Sequence, residues 1–116
     1  MLIPNKVSNI VEDTFYGCTS LTTIAIPNSV TSIGLTAFGR CTNLRTINLP
    51  NNITDIGPGA FSYCQSLSSV LIPNKVTSIG GSAFSGCSSL TTIAIPNSVT
   101  NIGERVFSYC GNLTSL

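Results

Sequence analysis

Leu21 to Asn43 reads LTTIAIPNSVTSIGLTAFGRCTN, and the same 23-residue sentence is repeated along the whole chain. Cysteine stands at Cys18, Cys41, Cys64, Cys87 and Cys110, and phenylalanine at Phe15, Phe38, Phe61, Phe84 and Phe107. Proline keeps the same interval at Pro4, Pro27, Pro50, Pro73 and Pro96, each time followed by asparagine. Self-similarity at a fixed period of this length identifies a solenoid, in which each unit buries its apolar face only against its neighbours. Residues 1–116 therefore read as one domain of five 23-residue coils.

Within one coil the hydrophobic spacing changes. Ile24 and Ile26 are two apart and share one face of a short strand, which leaves Thr23 and Ala25 on the other face. Pro27 has no N–H for a ladder and Asn28 favours a turn, so the strand ends there. Val30 and Ile33 lead to Gly34, read as a second corner. Ala37, Phe38 and Cys41 then have the spacing of one helical turn or a 3₁₀ piece, and Pro58 in the next copy sits where a first helical residue tolerates a missing donor. The expected fold is an α/β solenoid: a parallel sheet on the concave side of an arc and short helical or 3₁₀ turns on the convex side.

The strand segment L-x-x-I-x-I, in Leu21, Ile24 and Ile26 and again from Leu44, Leu67 and Leu90, matches the leucine-rich repeat pattern. The remainder, Ile26 to Leu44, resembles the 23-residue class of BspA-like (Treponema pallidum type) leucine-rich repeats over the full chain. That resemblance implies a noncatalytic protein-interaction module of a bacterial or protist protein, at the cell surface or secreted, with adhesion to host or matrix proteins such as fibronectin or fibrinogen. It brings no catalytic motif. The alternative is a structural spacer within a longer array, with no ligand of its own.

Composition narrows the function classes. Only 9 of the 116 residues are charged, the net charge is +1, and Ser, Thr and Asn supply 41 residues. Nucleic-acid affinity rests on many Lys and Arg contacts, so no nucleic-acid partner is expected. No apolar run is long enough to span a bilayer, and Met1 leads directly into repeat sequence, so neither membrane insertion nor a signal segment is expected. Glu12, Asp13, Asp55 and Glu104 are scattered over three coils and histidine is absent, so no acid–base pair converges and neither a metal nor another cofactor is expected.

The binding candidate is the outward face of the concave strands: Thr23, Ala25, Arg45, Thr46, Asn48, Ser69, Leu71, Thr92 and Ala94, with Leu2 completing the row. Such arcs bind partners over this surface, although small polar side chains make poor hot spots. Tyr63 and Tyr109, each before a cysteine, form a second anchor two coils apart on the convex wall.

The cysteines read as small buried hydrophobes, kept unbridged by coil separation on the convex wall. The asparagines after proline read as turn residues rather than ligands. Asn52-Ile53-Thr54 and Asn112-Leu113-Thr114 fit the glycosylation pattern. The first copy departs most, with Val11 where later copies have glycine. Met1 and Leu116 fall at the same strand position, so the ends read as uncapped, and end-to-end self-association is expected.

Overall fold

The structure is a computed structural model that describes residues 3–114. It is a solenoid with two parallel sheets. The first joins β3 (Thr46–Asn48), β5 (Ser69–Leu71) and β7 (Thr92–Ala94), and Ala25 adds an isolated bridge to Asn48. The second joins β1 (Asn9–Ile10), β2 (Ser32–Ile33), β4 (Asp55–Ile56), β6 (Ser78–Ile79) and β8 (Asn101–Ile102) in that order. Every pairing carries the 23-residue register, as in Ile47 opposite Val70 and Ile33 opposite Ile56. Each rung is closed at Pro by a tight turn, in which the Pro27 carbonyl accepts from Val30 N at 3.1 Å and Pro50 from Ile53 N at 3.3 Å. The asparagine after each proline lies inside that turn, as its chemistry predicts.

The second sheet corrects the expected corner at Val30 to Gly34. Thr31 and Ser32 turn outward or to the edge while Val30 and Ile33 are buried, so the segment pairs with its copies as a strand. Four rungs are complete among the described residues, each with a first-sheet segment, a second-sheet strand and a turn. The first coil contributes only β1 and its turn, so about four turns replace the expected five. Met1, Leu2 and Leu116, and with them the uncapped-end expectation, lie outside the described residues.

The helical expectation is also corrected: among the described residues the segment from each glycine to each cysteine contains no helix. Two residues per coil take the left-handed conformation, Thr36 (φ 50°) and Arg40 (φ 56°) in the second coil and Tyr63 (φ 57°) and Ser82 (φ 59°) farther on. A right-handed helix cannot run through such residues. Instead the N–H groups alternate in direction. Thr36, Phe38 and Arg40 donate to Pro58, Ala60 and Ser62 of the next coil at 2.9, 2.8 and 2.7 Å. Ala37, Gly39 and Cys41 donate back to Gly34, Thr36 and Phe38 of their own coil at 3.2, 2.9 and 3.3 Å. Half the donors close turns and half tie coils together, which satisfies a buried backbone that has neither helix nor regular strand.

The core runs as columns through the stack. Phe38, Phe61 and Phe84 are fully buried, with successive rings stacked 5.1 to 6.0 Å apart from Phe15 to Phe107. Ala37, Ala60 and Ala83 accompany them at 0% exposure, leaving space for the rings. The glycine column has a contact role: a Cβ on Gly34, Gly57, Gly80 or Gly103 would lie 2.2 to 2.8 Å from backbone atoms of the preceding coil. Val11 occupies this position in the first described coil and is 64% exposed.

Candidate functional site

The first sheet presents its predicted face to solvent. In β3, β5 and β7 the central Ile47, Val70 and Ile93 are buried and their flanking residues are exposed. Parallel register lines up Thr23, Thr46, Ser69 and Thr92 in one column and Ala25, Asn48, Leu71 and Ala94 in the next. All eight are exposed, and Arg45 is exposed at the start of β3, where its N–H donates to Thr22 O at 2.9 Å. Leu71 is the apolar prominence, 77% exposed. Leu2, the expected end of the row, lies outside the described residues. Four rungs at about 4.8 Å give a patch of about 14 Å along the stack and two residues, roughly 7 Å, across it.

The turn wall is built differently. Cys41, Cys64 and Cys87 are buried, Cys18 and Cys110 half-buried, and all five thiols are free. The reason for this differs from the expected coil separation, because Phe rings on the same wall stack only 5.1 to 6.0 Å apart. Direction prevents a bridge: the thiols of Cys41, Cys64, Cys87 and Cys110 each donate to the phenylalanine carbonyl of the coil before, Cys41 to Phe15 O at 3.1 Å and Cys64 to Phe38 O at 3.2 Å. Burial raises the thiols, Cys41 to about 11 and Cys87 to about 12, and Cys64 is pushed up as well; a neighbouring thiol adds to each rise and the backbone N–H of the preceding coil's cysteine opposes it. Such thiols are poor nucleophiles and poor ligands.

The two glycosylation-pattern asparagines are structural. Asn52 Nδ2 donates to Asn28 O at 3.1 Å and Asn112 Nδ2 to Ser88 O at 2.7 Å, each bracing its coil against the preceding one. Tyr63 and Tyr109 stand where expected: Tyr63 is half-buried and covered on one side by the Arg40 guanidinium, 4.7 Å from its ring centre, whereas Tyr109 is 79% exposed. The hydroxyls and backbone of the second sheet were not singled out from sequence. They form inter-coil bonds, with Ser78 Oγ donating to Asp55 Oδ1 at 2.8 Å and Ser32 Oγ to Asn9 Oδ1 at 2.5 Å. Recurrence of Thr-x-Ile in the last four copies, with Ser8-Asn9-Ile10 in the first, was the available signal. Among the described residues no group of His, Cys, Asp and Glu has a metal-holding arrangement, and no helix is long and apolar enough to cross a membrane.

Parallel rungs, a phenylalanine column and a 23-residue register define a leucine-rich repeat solenoid. The BspA-type leucine-rich repeat family matches residues 1–114 in six copies, one more than the cysteine-bearing units, and the chain belongs to that family. A leucine-rich repeat protein of T. pallidum is 40% identical with a TM-score of 0.92, over 93% of this chain and 50% of its own. A leucine-rich cell surface protein of Faecalibacterium prausnitzii is 42% identical with a TM-score of 0.93, over 97% of this chain and 30% of its own. A leucine-rich repeat protein of Bacteroides ovatus is 41% identical with a TM-score of 0.90, over 94% and 28%. The chain thus spans half or less of these relatives. A comparison with curated proteins finds no match.

Proposed function

We propose that the chain is a noncatalytic protein-interaction module of a surface or secreted bacterial or protist protein, and that its first sheet contacts the partner. The observation that carries this reading is the exposed double column from Thr23 to Ala94, centred on Leu71 and flanked by Arg45. The F. prausnitzii relative, described as a cell surface protein, supports the location. Phenylalanine spacing of 5.1 to 6.0 Å, against about 4.8 Å between strands, supports an arc with the first sheet inside. Host or matrix proteins are the partner class, by family resemblance.

The patch is small beside the roughly 800 Å² per partner of a standard interface, so the segment alone binds weakly and gains by avidity within a longer array. Surface plasmon resonance against fibronectin, fibrinogen and mucosal glycoproteins, with the segment displayed multivalently, tests it. Leu71→Asp and Arg45→Glu are expected to reduce the response; binding unchanged in both rejects the sheet as the contact. The spacer reading is favoured by the small side chains Ala25 and Ala94 beside Thr and Ser, and predicts no response to any of these proteins.

The edges of the second sheet support end-to-end pairing with a second copy. β1 and β8 are its outer strands, and Ile3, Val7, Ile10 and Phe15 open an apolar hollow beside β1. Light scattering that finds only monomer at high concentration rejects this.

A further inference from the structure

The left-handed position before each cysteine is occupied in turn by Gly17, Arg40, Tyr63, Gly86 and Tyr109. Gly86 (φ 77°) is where the stack omits a side chain, and the Tyr63 ring leans into that space: a Cβ on Gly86 would lie 2.5 Å from the ring's Cδ1. Arg40 backs the same ring from the other side at 4.7 Å, a cation–π contact that fixes its angle. Tyr109 projects from the coil after that of Gly86, two coils from Tyr63, and a bay of about 590 Å³ lies between the two rings, lined by Tyr63, Ser82, Ser85, Arg105, Ser108 and Tyr109. That volume is within the range of small-molecule sites. Ser85 is the one buried polar residue among those described and places its chain position at the inner margin of the bay. Across the Gly86 column the hollow continues between the same tyrosines past Gln65 and Ser88.

This lining contains aromatic faces, hydroxyls, an amide and one guanidinium, but no aliphatic side chain. It offers little to an apolar peptide anchor, and a single arginine is too little for a nucleic-acid backbone. A sugar ring has the complementary chemistry, with C–H faces that stack on tyrosine and hydroxyls that exchange hydrogen bonds with serine and glutamine. The planar fork of Arg105 matches a carboxylate. We propose that the bay between Tyr63 and Tyr109 binds an oligosaccharide bearing an acidic sugar, with Arg105 selecting the carboxylate. The site is separate from the first sheet and does not depend on a protein partner there.

The chain has three tyrosines and no tryptophan, so its intrinsic emission reports directly on the site. Titration with a galacturonate trimer and the matching neutral galactose trimer, followed by tyrosine fluorescence and calorimetry, is expected to give saturable binding of the acidic trimer and about tenfold weaker binding of the neutral one. Tyr109→Ala is expected to weaken the acidic trimer by about tenfold, and Arg105→Gln to bring the two trimers to equal affinity. Tyr16→Ala, outside the bay, and Leu71→Asp, on the first sheet, leave both unchanged. Circular dichroism on each variant separates lost binding from lost fold. No saturable binding of the acidic trimer, neutral trimer bound as tightly, or wild-type affinity in a folded Tyr109→Ala each overturns the proposal.

Discussion

The first sheet and the turn wall obey one 23-residue repeat but tolerate different things. Along the sheet the outward column reads Ala25, Asn48, Leu71 and Ala94, four copies with three side chains, all exposed. Along the wall the inward columns read Ala37, Ala60 and Ala83, then Phe38, Phe61 and Phe84, then Cys41, Cys64 and Cys87, all at 0% exposure. The sheet holds its rungs by backbone hydrogen bonds, which ignore side-chain identity. The wall closes turns with half its donors and joins coils with the rest, so its shape depends on rings, thiols and missing side chains fitting together. Stability therefore resides in the wall, and freedom to evolve a contact resides on the sheet.

The sharpest way to break that contrast is to truncate one ring. Phe61 is fully buried between Phe38 and Phe84, with centroids 5.3 and 5.4 Å away. Phe61→Ala removes the packing of both neighbours and leaves a cavity that the stacked backbone cannot close, at a cost of about 3–5 kcal/mol in urea unfolding. A loss below about 1 kcal/mol would show that the column is not what joins the coils.

The glycine column gives the next effect. In Gly80→Ala the new Cβ would fall 2.3 Å from Pro58 N, a backbone atom that cannot rotate away. The coils must separate locally, costing about 1–3 kcal/mol or more. Its control is already in the sequence: Val11 fills the equivalent position of the first coil and is 64% exposed, so Val11→Ala is expected to change stability by less than about 0.5 kcal/mol. Equal effects at the two positions would remove close coil approach as the reason for glycine.

The thiols provide a pH-dependent comparison. Burial raises Cys87 from 9.0 to about 12, so the folded chain keeps its proton where the unfolded chain has lost it. The unfolded state then binds fewer protons, and stability falls as pH rises from about 9 towards 12. Between pH 7 and 10 this one group withdraws about 1.4 kcal/mol, which Cys87→Ala does not lose. The destabilisation caused by Cys87→Ala, measured by urea midpoint, should shrink by that amount at pH 10. A pH-independent cost would mean that the thiol is not shielded from water.

The parts of this fold that repeat at a fixed residue type were legible from sequence, and those that depend on backbone conformation were not. Ile24 and Ile26 two apart, ended by Pro27, announced the first sheet and its exposed face; every predicted face residue among those described is exposed. Ala37, Phe38 and Cys41 announced burial correctly but suggested a helix, because a turn that buries three side chains within five residues has helical spacing whichever way its N–H groups point. The left-handed residues at fault, Asp13, Thr36, Ser82 and Arg105 in one column and Arg40, Tyr63 and Tyr109 in the other, have no common chemistry that marks them. Gly59, Gly17 and Gly86, which occupy the same two positions, were the only local hint. The second sheet was missed because each of its strands has two residues, too short for alternation to declare itself.

The smallest expected effect is on Leu71, and it decides whether the two regions are separable. Leu71 lies in the outward column beside Asn48 and Ala94 and is 77% exposed, so Leu71→Asp gives up little buried surface. The nearest charge on this face is Arg45, one rung earlier, which offsets any repulsion the new carboxylate would meet. Unfolding free energy should change by no more than about 0.5 kcal/mol. The same variant should lower the response to a multivalently displayed protein partner, because an exposed leucine buried in a contact contributes roughly 1.5–3 kcal/mol by area. A variant that loses both stability and binding would mean that the sheet shares the wall's packing burden, and its outward column could not then vary as freely as Ala25, Asn48, Leu71 and Ala94 do.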